Sequence, residues 1–129
     1  MTLGAGTTLS ASTVTFTSTV DGGTNSLTVT GNAIFGGAVT NMTTLSISGS
    51  TAINGATITT TGAQIYNDAV TLGAGTTLST TDSAVTFVST VNNAQALTVS
   101  TGSGAITFTG IVGGSTALGA LRRPCWLRP

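Results

Sequence analysis

The feature that most constrains the fold of this chain is a repeat within its own sequence. The segment TLGAGTTLS at positions 2–10 recurs without change at positions 71–79. The similarity continues through Val-Thr-Phe at 14–16 and again at 85–87. Such repetition is typical of chains that stack copies of one unit, because a short unit cannot bury its own apolar side.

A shorter period appears in the phenylalanine and tyrosine residues. Successive members lie about 20 residues apart, a common unit length of repeat proteins, except across one longer gap. Each of them is followed by a valine at the fourth position after it. We therefore predict that stacked units bring the aromatic side chains into a single inward column with valines beside them. The predicted ladder residues are Phe16, Phe35, Tyr66, Phe87 and Phe108, accompanied by Val20, Val39, Val70, Val91 and Val112.

Strand signals alternate with turn signals between these positions. Apolar residues two apart, such as Leu27 and Val29, have the period of a half-buried strand, and Gly-Gly, Asn-Gly and Asn-Asn pairs supply sharp corners. The pattern predicts an all-β fold, a parallel β-solenoid of about five to six rungs of roughly 20 residues. The long gap between Phe35 and Tyr66 predicts an enlarged rung or side loop. A Greek-key sandwich and a membrane barrel are the rival architectures, and the aromatic girdles of such a barrel are missing.

Charge is almost absent from the chain. Its charged residues are three arginines and three aspartates, and residues 1–121 contain no cation. Because nucleic-acid binding depends on clustered lysine and arginine, nucleic acid is excluded as a partner. The longest run of apolar residues and glycine, 33–39, is far shorter than the roughly 20 residues of a membrane helix, so we expect no membrane-spanning segment.

The chain also lacks the side chains of common catalytic sites. Without histidine or lysine, a serine or cysteine nucleophile has no conventional base, so we interpret Cys125 as an incidental thiol. Asp21, Asp68 and Asp82 stand in separate turns and are interpreted as turn residues rather than paired acids. The glycine-aspartate repeat of calcium-binding solenoids is absent. We expect no enzymatic activity, no catalytic or cofactor-binding residues, no cofactor and no metal.

The repeated phrases resemble those of a known class of bacterial protein. TLGAGTTLS, AVTFVSTVNNAQALTVST and the stretch from AIFGGAV to AQIYNDAV are similar to the repeats of filamentous-haemagglutinin-like and autotransporter-associated β-strand-repeat exoproteins. The resemblance covers nearly all of residues 1–118. It implies a right-handed β-helix that forms the shaft of a secreted or cell-surface adhesin and contacts a host-surface or matrix ligand. This chain shows no signal peptide, so we expect it to be part of a longer protein.

The C-terminal residues depart from the repeat. We assign residues 1–121 to solenoid repeats, with the long repeat over 2–70 and again over 71–121, and residues 122–129 to a separate tail. The tail RRPCWLRP contains every cation, both prolines, the only cysteine and the only tryptophan. Two interpretations stay open: a frameshifted or truncated reading frame, and a cap whose proline and arginine protect an open strand edge.

Three functional hypotheses follow. The first, which we favour, is a structural shaft or spacer that self-associates through its open solenoid ends. The second is an ice-binding solenoid with a Thr-x-Thr face, although threonine flanks the aromatic residue on both sides in only two of five units. Those two pairs are Thr15 with Thr17 and Thr107 with Thr109. The third is a degenerate or frameshifted fragment with no selected function.

Overall fold

The computed structural model describes residues 1–55, 57–114 and 118–122. These residues contain no helix, and therefore none long and apolar enough to cross a membrane. Parallel pairing joins the strands into one sheet that winds round a narrow core. The strands are β1 (Thr7–Phe16), β2 (Val20–Phe35), β3 (Val39–Ile47), β4 (Thr51–Ile53), β5 (Thr57–Thr60), β6 (Gln64–Tyr66), β7 (Val70–Leu72), β8 (Thr76–Ser79), β9 (Val85–Phe87), β10 (Val91–Asn92), β11 (Ala96–Ser100), β12 (Ile106–Phe108) and β13 (Ala120–Arg122).

The sheet forms three sides, because each turn of the chain carries three strand segments separated by corners. Face A contains the first residues of β2 and β3, followed by β5, β8, β11 and β13. Face B contains residues 7–10, 27–29 and 45–47, followed by β6, β9 and β12. Face C contains residues 13–16 and 32–35, followed by β4, β7 and β10.

The strand register on face B gives about five turns. A single inward column runs through Leu9, Val29, Ile47, Tyr66, Phe87 and Phe108. The members of this column are nearly evenly spaced along the chain, so one turn takes about 20 residues, as in other short-period solenoids. The predicted parallel β-solenoid is therefore confirmed.

The interior consists of apolar side chains that repeat from turn to turn. Neighbouring strands of a sheet are about 4.8 Å apart, so each inward side chain contacts the corresponding side chains of the turns on either side. Burial of each large side chain contributes about 2 kcal/mol, which makes these columns the main source of stability. On face A the buried column is Val20, Val39, Ile58, Leu78 and Val99.

The aromatic side chains form two columns, so the prediction of a single column is wrong. Phe16 stacks on Phe35 on face C, with ring centroids 5.0 Å apart. Tyr66, Phe87 and Phe108 stack on face B, with centroid distances of 5.2 Å and 4.8 Å. The rings of each column are nearly parallel, with interplanar angles of 11° or less.

The valines divide in the same way. Val20 and Val39 share a column on face A, whereas Val70, Val91 and Val112 share a column on face C. The constant spacing between aromatic residue and valine spans one corner, and the solenoid uses that spacing at two different corners. In the first turns the aromatic residue lies on face C and its valine on face A, whereas in the later turns the aromatic residue lies on face B and its valine on face C.

The described residues between Phe35 and Tyr66 form no enlarged rung, so that prediction is wrong as well. The column of Phe35 continues through Ile53 to Leu72, in two successive turns of ordinary length. Tyr66 lies shortly before Leu72 in the chain, on the preceding face. The long gap is therefore two full turns less one side, and the irregular spacing of the aromatic residues reflects a change of face.

The identical segment TLGAGTTLS also changes face between its two copies. In both copies a threonine hydroxyl closes the corner: Thr7 Oγ1 donates to Ala5 O, and Thr76 Oγ1 donates to Ala74 O, each at 2.9 Å. The segment thus specifies a strand, corner and strand, whichever sides of the solenoid they occupy. The first copy runs from face A to face B, and its inward side chains are Leu3 and Leu9. The second copy runs from face C to face A, and its inward side chains are Leu72 and Leu78.

Candidate functional surfaces

The predicted ladder residues lie in the interior. Eight of the ten are buried, and Phe108 and Val112 in the last described turn are half-buried. Their side chains face the core columns rather than a cleft. We therefore assign them a structural role and look to the outer surface for binding.

Asp21 lies near the start of β2 on face A, and Asp68 and Asp82 lie at separate corners; each carboxylate accepts a backbone N–H group through Oδ1. The part of the chain that the structure describes contains no group of three His, Cys, Asp or Glu side chains suited to a metal ion. Asp68 accepts its hydrogen bond within its own turn, whereas Asp82 accepts one from the next coil and Asp21 accepts one from each. The backbone donors, at 2.8–2.9 Å, are Gly23 for Asp21, Ala69 for Asp68 and Ser103 for Asp82.

The predicted tail is described only at its first residue. Arg122 ends β13 and pairs with Thr98 of β11. The remaining tail residues, including Cys125, lie outside the described residues.

Asp21 is the aspartate whose carboxylate accepts two hydrogen bonds. The Gly23 N–H group donates to its Oδ1 at 2.9 Å, and the Asn41 side-chain amide on the next turn donates to the same oxygen at 3.2 Å. These two hydrogen bonds, the backbone one foremost, hold the pKa of Asp21 below its usual range because they stabilise the ionised carboxylate.

We expect Asp21→Asn to reduce the acid sensitivity of the fold. A lowered folded-state pKa contributes stability that is present above the unfolded pKa, about 3.9, and is lost as pH falls through the folded pKa. Between about pH 5 and pH 2 the Tm of the parent chain should therefore fall further than that of Asp21→Asn. Thermal melts followed by circular dichroism at the two pH values measure this, and equal falls in both proteins would refute it.

A buried polar cluster in the core was not predicted from the sequence. Gln64 is fully buried, and its Nε2 donates to Ile58 O at 3.2 Å and to Ser79 O at 3.0 Å. Tyr66 Oη donates to Gln64 Oε1 at 2.8 Å. Burial raises the pKa of Tyr66, because the phenolate would lose its hydration, so the hydroxyl remains a neutral donor. The cluster ties face B to two strands of face A. Its only sequence signal is a glutamine at a position where other turns have Leu27, Leu45, Val85 and Ile106.

Thr51 is a buried polar residue whose hydroxyl, unlike the polar groups of Gln64 and Tyr66, is left without a hydrogen-bond partner among the described residues. Its side chain is 1% exposed. It occupies the face C column between Ala33 and Val70, where the other side chains are apolar. A buried hydroxyl without a partner costs about 1–3 kcal/mol.

We expect Thr51→Val to stabilise the chain by about 1 kcal/mol, because valine keeps the shape and removes the unpaired hydroxyl. Thr76→Val is the matched control: Thr76 is also buried, but its hydroxyl donates to Ala74 O at 2.9 Å. That control should lose about 1 kcal/mol. Urea unfolding of both variants measures the difference, and a loss of stability in Thr51→Val would contradict the prediction.

The outer surface of the described residues is mostly polar and carries little charge. Threonine and serine predominate on the outward positions of faces A and B, and Ile65 and Val88 on face B are 37% and 42% exposed. Comparison of the chain with protein-family models, curated proteins and solved structures finds no match. The functional argument therefore begins from the fold and its surfaces.

Proposed function

We propose that this chain is a structural segment, a shaft or spacer of a bacterial cell-surface or secreted adhesin-like protein, and that it has no catalytic role. The resemblance of its repeats to filamentous-haemagglutinin-like and autotransporter-associated exoproteins supports the setting. The observation that carries the proposal is the continuous solenoid, in which about five turns share one three-strand cross-section.

A solenoid of this kind grows in one dimension. Each added turn uses about 20 residues and extends the stack by about 4.8 Å without changing its width. Such a scaffold can hold a binding region at a distance from the cell, as the resemblance implies. Exposed threonine, serine and asparagine side chains would make any contact with a host-surface or matrix ligand.

The ends of the stack support self-association. Among the described residues, the half-buried apolar side chains that pack on the core are confined to the first turn and the last turns. A further coil, from the same protein or a second copy, would cover them and pair the open strand edges. These side chains are Leu9 and Val14 at one end and Ile106, Phe108, Val112 and Leu118 at the other.

Small-angle X-ray scattering over a concentration series tests the proposal. We expect particles that lengthen with concentration while the cross-sectional radius stays constant. Leu9→Lys, which charges the open end, should suppress this growth, whereas Thr71→Lys on the exposed side of face C should not. A chain that stays monomeric throughout, or that widens as it grows, would overturn the proposal.

A further inference from the structure

Face B presents two straight outward columns that the register aligns across six strands. Of their twelve positions nine are threonine or serine, and none is charged. Backbone hydrogen bonds to the preceding turn continue beyond the strand ends, which keeps the second column aligned. The first column is Thr8, Thr28, Ser46, Ile65, Thr86 and Thr107; the second is Ser10, Thr30, Ser48, Asn67, Val88 and Thr109.

These hydroxyls are available to an external partner. Ser48 Oγ accepts the Gly31 N–H group at 2.9 Å, and the other eight hydroxyls make no hydrogen bond within the part of the chain that the structure describes. A hydroxyl both donates and accepts, as a water molecule does. Threonine is stiff at χ1, so an ordered row of threonines loses little freedom on binding.

The spacing of the array fits a lattice of hydrogen-bonded water. Successive turns place hydroxyls about 4.8 Å apart. Water oxygens joined by hydrogen bonds of about 2.8 Å in tetrahedral geometry have next-nearest neighbours at about 4.5 Å. The exposed apolar groups of Ile65 and Val88, with the threonine methyl groups, lie between the hydroxyls and carry no charge that would disorder such a lattice.

The other faces do not offer an uncharged array of this length. Face A has hydroxyl pairs on three successive turns and Thr40 on the turn before them, but Asp21 precedes Thr40 in the same outward column. The outward column of face C mixes Thr15, Ile34, Ala52, Thr71 and Asn92. The number of threonines beside the aromatic residues underestimates the number of hydroxyls on face B. The aromatic residues change faces, and the first three side chains of the inward column of face B are the aliphatic Leu9, Val29 and Ile47.

We infer that face B is an ice-binding surface, whose ligand is the ordered water of an ice plane. The inference rests on the strand register and does not depend on the shaft function. It goes beyond that function, because an ice-binding side would let a surface-projected shaft adhere to ice along its length.

Inhibition of ice recrystallisation by the full chain tests the inference, with ice-crystal shaping as a second readout. The parent chain should inhibit recrystallisation, and Thr28→Lys in the middle of face B should lower the activity about tenfold, because a protruding charge prevents close contact. Thr77→Lys is the matched control, since Thr77 is likewise half-buried and outward-facing but lies on face A. That control should keep the parent activity, and circular dichroism verifies that both variants fold.

Two results would overturn the inference: no effect of the parent chain on ice, or equal loss in both variants. If the first of these came together with scattering in which Thr28→Lys abolishes sideways association, face B would bind protein instead of ice. End-to-end growth of the stack is measured separately, so failure of the ice assay leaves the shaft proposal standing.

Discussion

Replacing Phe87 with alanine is expected to lower the free energy of unfolding by about 3–5 kcal/mol. Phe87 is 1% exposed and lies between the rings of Tyr66 and Phe108, with centroid distances of 5.2 Å and 4.8 Å. The loss combines the transfer of a large apolar side chain, the cavity left in a narrow core and two stacking contacts. Denaturant unfolding monitored by circular dichroism measures the change.

Phe108→Ala is the matched control for this prediction. Phe108 stacks on the same column but is half-buried in the last described turn, so its removal opens a smaller cavity. We expect a loss clearly smaller than that of Phe87→Ala. Equal losses of stability in the two variants would contradict the structure, in which Phe87 is stacked on both sides and Phe108 on one.

Gly31→Ala is expected to cost about 3 kcal/mol or more. Gly31 has φ = +124°, and a Cβ added there would lie 1.8 Å from the carbonyl oxygen of Ala11. The cause is a bulge between the first two turns, where the pairing shifts between Ser10 and Thr13 and brings the Ala11 carbonyl over the glycine. Alanine is strained at this φ and also displaces the neighbouring backbone.

Gly75→Ala provides the contrast within the repeated segment. A Cβ at Gly75 would have no atom within 4 Å. We expect no loss, or a gain of about 0.4–1 kcal/mol from a less flexible unfolded chain. Thermal melts of the two glycine variants compare these effects, and a mild effect of Gly31→Ala would show that the first turn is not packed on the second in this register.

Much of the fold could be predicted from the sequence, because the signals are local. The period-two apolar pairs mark strands, and the spacing of the aromatic residues gives turns of about 20 residues. An inward aromatic residue followed by a valine four positions later predicts core positions, and those ten side chains are buried or half-buried. Each of these inferences requires only that neighbouring residues prefer a given backbone conformation.

The face occupied by each segment could not be predicted, because it depends on the whole winding of the chain. Corners at two different edges of the solenoid have the same length, so nothing near Phe35 or Tyr66 shows that they lie in different columns. The same limit concealed the hydroxyl columns of face B, which appear only once the register is known. Gln64 was missed for another reason: its partners come from residues up to 15 positions away, including Ser79.

Nuclear Overhauser contacts between core side chains test the three-sided winding most directly. The account predicts cross-peaks between the Phe35 ring and the Ile53 methyl groups, and between the Tyr66 ring and the Ile47 methyl groups. It predicts none between Phe35 and Tyr66. A cross-peak joining these two rings would place the aromatic residues in one column with an enlarged coil between them, and would contradict the register from which both functional proposals are drawn.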